Sequence, residues 1–131
     1  MSYIPTKGKS FLIPSGPQED GKHLFVIVTN RCPADCYLLL SISSVEAGEY
    51  HDSACRLRPG DHSFIQHLSY VMYSKAVILP HDEIVKRVGD FTFLIKDDGN
   101  DEFVEKIRNG IEVSKRTSKK IRTYFAAAQS L

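Results

Sequence analysis

Tyr37-Leu38-Leu39-Leu40-Ser41-Ile42-Ser43 is apolar at nearly every position and too short for a confident helix, which is how a strand buried inside a sheet reads. Upstream, Leu24-Phe25-Val26-Ile27-Val28-Thr29 is richer still in β-branched and aromatic residues and forms a second such strand, broken by Asn30-Arg31-Cys32-Pro33. Before it, Phe11-Leu12-Ile13-Pro14 is a third. Pro14-Ser15-Gly16-Pro17 stops it, because proline fixes and glycine frees the backbone angles a turn needs, and a polar loop follows over 18–22. Downstream, Arg56-Leu57-Arg58 is a short strand ahead of the Pro59-Gly60 turn. Ser63 to His67 is a weaker extended segment, and Tyr70 to Leu79, ended by Pro80, is the longest strand.

The pattern changes in the last third. Val104, Ile107 and Ile111 recur at helical spacing, as do Ile121, Tyr124, Phe125 and Ala128. Carrying the three-four spacing through Ser114 and Ser118 leaves one long helix open beside two. Acidic residues at 97, 98, 101, 102 and 105 precede basic ones at 115, 116, 119, 120 and 122, the order a helix dipole favours. Several short strands separated by turns, then helix, predict an α+β fold: a small β-barrel or strongly bent antiparallel sheet over 1–95 with one or two C-terminal helices over 96–131. The whole chain, 1–131, is expected to form a single domain, since 131 residues at 42% hydrophobic composition suit one core.

Seventeen Lys and Arg against sixteen Asp and Glu argue against a strongly basic, histone-like binder and leave recognition to local patches. No apolar run approaches the roughly 18 to 20 residues a bilayer span needs. Three cysteines leave an odd thiol, and no leader pattern opens the chain, so the expectation is a cytoplasmic protein with no membrane contact.

Reactive side chains concentrate between Tyr50 and Tyr73, a stretch holding three of the five histidines. His62 follows Pro59-Gly60-Asp61, where it serves either as an acid or base at a loop tip or as a ring whose hydrogen bonds tie the turn down. His67 shares a face with Ile65 and reads as semi-buried, while His23 and His81 read as surface positions. Tyr70 and Tyr73 differ by an odd number and so lie on opposite faces of a regular strand, where both pack into core or one of them lines a groove. Gly8-Lys9-Ser10 lacks the glycine five residues before Gly8 that a phosphate loop requires. Cys32-x-x-x-Cys36 and His51-x-x-x-Cys55 offer four ligands without the two-residue knuckle spacing of zinc sites, so no metal or other cofactor is expected. A hydrolase using Cys55 with His51 or His62 is a further alternative.

The segment order resembles that of the PemK-like and MazF-like toxin family. The likeness rests on the early strand running into Pro14-Ser15-Gly16-Pro17, on Leu24-Phe25-Val26-Ile27-Val28, on Leu39-Leu40-Ser41-Ile42-Ser43-Ser44, and on Ser69-Tyr70-Val71 through Ala76-Val77-Ile78. The resemblance implies an SH3-like β-barrel with added helices that binds single-stranded RNA and cuts it without metal, with an antitoxin-like protein or a second copy as partner. On this reading His62 is the acid or base, Ser43 or Ser44 orients the phosphate, and Lys22, His23, Arg56 and Arg58 hold it beside Tyr73. The alternative is a noncatalytic protein-binding or regulatory module on the same framework.

Overall fold

Strand β3 (Cys36–Ser44) is buried on both of its faces, and the layers of the molecule follow from that. The computed structural model describes residues 3–14 and 22–128. Leu38, Leu40 and Ile42 point to one side, where they join Leu24, Val26 and Val28; Tyr37 and Leu39 point to the other, where they join Phe25 and Ile27. A sheet with two apolar faces needs a cover on each. Helices α2 (Asp101–Val113) and α3 (Lys119–Ala128) supply the first, through Phe103, Val104, Ile107, Ile111, Ile121 and Phe125. Helix α1 (His81–Gly89) supplies the second with Ile84 and Val88, joined by Phe93.

The described chain is α+β, with seven strands and three α-helices around a mixed-length antiparallel sheet. Besides β3 the strands are β1 (Ser10–Pro14), β2 (Lys22–Ile27), β4 (Arg56–Leu57), β5 (Ser69–Val71), β6 (Val77–Pro80) and β7 (Leu94–Lys96). Their order is β4-β5-β3-β2-β1-β7, with β6 also on β3. The two ends, β4 and β7, do not meet. The sheet is therefore open and not strongly curled, which overturns the expected SH3-like β-barrel or strongly bent sheet and removes the basis of the PemK-like and MazF-like resemblance. A barrel strand alternates between one enclosed core and the outside. The unbroken apolar runs 24–28 and 37–40 instead serve two cores.

The expected long strand from Tyr70 to Leu79 is divided. A 3₁₀ turn at Tyr73–Lys75 separates β5 from β6, and both pair with β3: Ser69–Val71 along Ile42–Ser44, Val77–Pro80 along Cys36–Leu39. Tyr73 causes the break by turning inward, where it is 1% exposed and its hydroxyl donates to the Ile107 carbonyl at 2.7 Å. Burial drives the phenol's pKa far above its ordinary value. Gly110 makes room for it, since a Cβ there would stand 1.9 Å from the Tyr73 hydroxyl oxygen.

Two elements escape the sequence reading, α1 and β7, while Ser63 to His67 forms turns rather than a strand. The C-terminal helix is two helices. Asn100 caps α2 by accepting from the Phe103 amide at 2.8 Å, and α2 stops at Ser114, whose hydroxyl donates to buried Asp52 at 2.5 Å. Arg122 then donates to the carbonyls of Ser114 and Glu112, and Ser118 accepts from the Ile121 amide at 3.2 Å to start α3. The basic run thus caps α2 from outside and opens α3, rather than ending a single helix. The predicted turn at Ser15, Gly16 and Pro17 lies outside the described residues.

Tyr73→Phe should cost about 1 kcal/mol in urea unfolding, the worth of one buried hydrogen bond. Gly110→Ala should cost more, because overpacking of about 1–3 kcal/mol or beyond outweighs the roughly 1 kcal/mol that alanine gains in a helix. A Gly110→Ala variant as stable as the parent would contradict this packing.

Candidate functional site

Register decides which of the predicted residues meet. Arg56 lies opposite Tyr70 and Tyr70 opposite Ser43, while His23 lies opposite Ile13. Opposed residues share a face, and neighbours along a strand alternate. Ile42, Val71 and Leu24 face the α2–α3 layer, so Ser43, Tyr70 and His23 face the α1 side. Arg56, Ser43 and His23 are thereby brought into one neighbourhood around Tyr70. The His51 ring tilts against Tyr70 at 5.4 Å between centroids, and Arg56 donates through Nε to His51 Nε2 at 3.1 Å. Partial burial, and then the nearby Lys75 ammonium, hold the His23 pKa below its ordinary value. Exposed Arg58 lies two residues beyond Arg56, whereas Lys22 and Ser44 alternate to the other face.

A cleft of about 800 Å³ lies between Ile42–Ser44 at the end of β3, the Ser63–His67 turn and Ile95–Asp97 at the end of β7. Phe64 and Ile95 line it and remain 42% and 57% exposed. Its charged lining, Lys96 and Asp97, sums to zero at the carboxylate and ammonium. The cleft mixes hydroxyls with apolar side chains and carries no cationic bias.

His62 does not line this cleft but holds the turn that does. Only 5% exposed, it donates from Nε2 to the Asp97 carbonyl at 2.8 Å, with the Ser10 hydroxyl at 3.3 Å from the same nitrogen. A carbonyl accepts only, so Nε2 carries the hydrogen, and Nδ1 accepts the Phe64 amide at 3.0 Å. The ring also rests on Phe103, 5.2 Å between centroids, and Ser63 donates to the Asp97 carboxylate at 2.7 Å. Of the two sequence readings, the geometry is that of a ring tying down a turn: both nitrogens are engaged and the group is sealed from solvent. Asp61 completes the turn by accepting the Arg58 amide at 2.9 Å and the Lys106 ammonium at 3.1 Å. Despite some desolvation, these donors hold its carboxyl below the usual range.

The tyrosines take opposite sides of the sheet. Tyr73, named for substrate binding, is core, and half-buried Tyr70 takes the open side. Cys55 is buried, its thiol pKa raised first by desolvation, and it lies against the Lys106 carbonyl at 3.8 Å, an environment that suppresses the thiolate a nucleophile needs. His67 is exposed rather than semi-buried. His81 is half-buried with Nδ1 3.0 Å from the Tyr37 hydroxyl, and His23 is half-buried too, so neither is a bare surface position. His23 and His51 share the Tyr70 neighbourhood, while His62 and His81 are tied into contacts of their own. Gly8 has φ of 99° and a Cβ there would lie 2.9 Å from the Gly99 carbonyl oxygen, so this glycine serves a close backbone crossing. Among the described residues no group of three His, Cys, Asp or Glu side chains is placed to hold a metal. Phe64, Ile95 and Asp97 are site residues that the sequence does not announce, since only the β1–β7 pairing and the His62 bridge bring them together.

No protein-family model matches the chain, and no curated protein matches it significantly. The functional reading therefore rests on geometry.

Replacing His62 by alanine should cost about 2 kcal/mol or more, since it removes ring packing and strands the Asp97 carbonyl and Phe64 amide. Hydrogen exchange at the Phe64 amide should accelerate with it; unchanged protection would refute the bridge. For Asp61 the folded pKa lies below the unfolded 3.8, so its stabilisation is complete above about pH 5 and is lost as pH falls through that range. Asp61→Asn should accordingly lower stability at neutral pH and flatten the acid limb, the difference from the parent shrinking as pH falls from about 5 to 2.

Proposed function

We propose that this chain is a noncatalytic binding module whose cleft receives an extended peptide segment of a protein partner. The observation that carries this reading is the juxtaposition of an apolar, serine-rimmed cleft with β7, an edge strand paired on one side only among the described residues. An unpaired edge offers main-chain donors and acceptors to an incoming strand, and alternate side chains of that strand need pockets; Phe64 and Ile95 border one. Balanced lining charge suits a peptide better than a polyphosphate. The engagement of both His62 nitrogens favours binding over acid–base chemistry.

A second ligand class has its own observation. The neighbourhood of Arg56, Tyr70, His51 and Lys75 combines cations with an aromatic face, which suits unpaired RNA held without cleavage.

Selection of random peptides on the immobilised chain, with Ile95→Asp as counter-selection, separates the two. Peptides with alternating apolar residues should emerge and lose about tenfold or more in affinity on Phe64→Ser or Ile95→Asp, both exposed positions that tolerate substitution. Failure to enrich any peptide over the Ile95→Asp protein would defeat the cleft reading. Salt-sensitive binding of a short labelled RNA, abolished by Arg56→Glu, would move the function to the Arg56–Tyr70 neighbourhood.

A further inference from the structure

Cys32 and Cys36 flank a tight turn between β2 and β3. The Asp35 amide donates to the Cys32 carbonyl at 2.8 Å, with Asp35 in the left-handed region at φ 60°, and the Cys32 amide donates to the Cys36 carbonyl at 3.0 Å. The two cysteines thus oppose each other across the neck of a hairpin. The Cys36 amide reaches Cys32 Sγ at 3.4 Å, so that sulfur lies beside the Cys36 backbone, the close approach a disulfide needs when it bridges Cα atoms roughly 4.4–6.8 Å apart. The turn is held in place: Arg31 pairs with Asp35 at 3.0 Å, and the first amide of α1, on His81, donates to the Asp35 carbonyl at 2.7 Å. Both thiols are free and partly accessible, in contrast to buried Cys55.

Their surroundings differ. The Cys36 amide donates to Cys32 Sγ at 3.4 Å, whereas the Cys36 thiol lies 3.5 Å from the Ala34 carbonyl, which it can only donate to. The Tyr124 hydroxyl on α3 is sealed from solvent and has no hydrogen-bond partner among the described residues, and its closeness to Cys32 favours a sulfur anion there. Desolvation pushes the Cys32 thiol up, but that hydroxyl and the turn amides outweigh it and leave its pKa below the ordinary value. Desolvation and the neighbouring Cys32 both push Cys36 above it. One sulfur is set to attack and the other to wait.

We propose that Cys32 and Cys36 form a thiol–disulfide exchange site, with Cys32 attacking low-molecular-weight disulfides, Cys36 resolving the adduct and Tyr124 positioning the attacking sulfur. In the first step the Cys32 thiolate attacks one sulfur of a disulfide RSSR, forming the Cys32–SR bond and expelling RS⁻. In the second, Cys36 attacks Cys32 Sγ, forms the internal disulfide and expels the second RS⁻. The protons of the two protein thiols end on the two released RSH molecules, so the pair is oxidised as RSSR is reduced. The C-P-A-D-C loop closes over few residues and the bond lies at the surface, the situation in which disulfides are labile and reversible.

Equilibrating the full chain against oxidised and reduced glutathione and reading masses after acid quench tests this. The parent should lose both thiol hydrogens, with peptide mapping placing the bond between Cys32 and Cys36 and leaving Cys55 reduced. Cys36→Ser should accumulate one glutathionyl group on Cys32. In the reduced parent, a thiol reagent should label Cys32 before Cys36, and Tyr124→Phe, which keeps the packing, should diminish that lead. Absence of the internal bond at the most oxidising ratio would overturn the proposal, as would glutathionylation of Cys32→Ser at Cys36 as readily as of Cys36→Ser at Cys32. An undiminished Cys32 lead in Tyr124→Phe would remove the role given to the phenol.

Discussion

The two-sided burial of β3 is the constraint on which the other layers depend. Leu38, Leu39 and Leu40 are each fully enclosed, with successive side chains entering opposite cores. At about 2 kcal/mol for each fully buried leucine, neither core is dispensable to a domain this size. A sheet so loaded must lie between layers, and the helices that cover it all come after β6 in the chain. They divide the work, α1 to one face, α2 and α3 to the other.

Fittings between layers are polar and few. Tyr73 reaches from the sheet side into α2, Ser114 ends α2 on Asp52, Arg122 captures the carbonyls that α2 leaves open, and His62 ties its turn to β1, β7 and α2 together. Each satisfies a buried group that would otherwise cost free energy unpaired. The cleft and the Arg56–Tyr70 neighbourhood lie at the end of the sheet where helix cover runs out. Function in this molecule is best sought at those margins, since the centre is committed to packing.

Strands β1 to β4 and the amphipathic stretches of α2 and α3 are legible in the sequence because periodicity and turn residues act locally. The runs 24–28 and 37–40 also argue against a barrel, as continuous apolarity implies two cores, but a count of short strands points the other way and outweighs them until the pairing is seen. Helix α1 carries its own local signs, with Pro80 ahead of it and Asp82 and Glu83 in its first turn. Strand β7 does not: three residues have no period to read, and β1 alone makes them a strand. Tyr73 enters the core and Tyr70 stays out because Gly110, far along the chain, leaves a hole for one ring. His62 is half legible; its turn is predictable, its partner Asp97 is not.

β1 has one neighbour close by in the sequence and another very distant. It pairs with β2 directly, but its other edge waits for Leu94–Lys96, which arrive only after β3 to β6 and α1 have been laid down. During folding the nascent β1–β2–β3 meander therefore carries a bare rim beside Phe11, and long-range pairings of this kind are slow to close. Until β7 docks, that rim is the natural place for one chain to stick to another, so the yield of native protein depends on how promptly the last strand arrives.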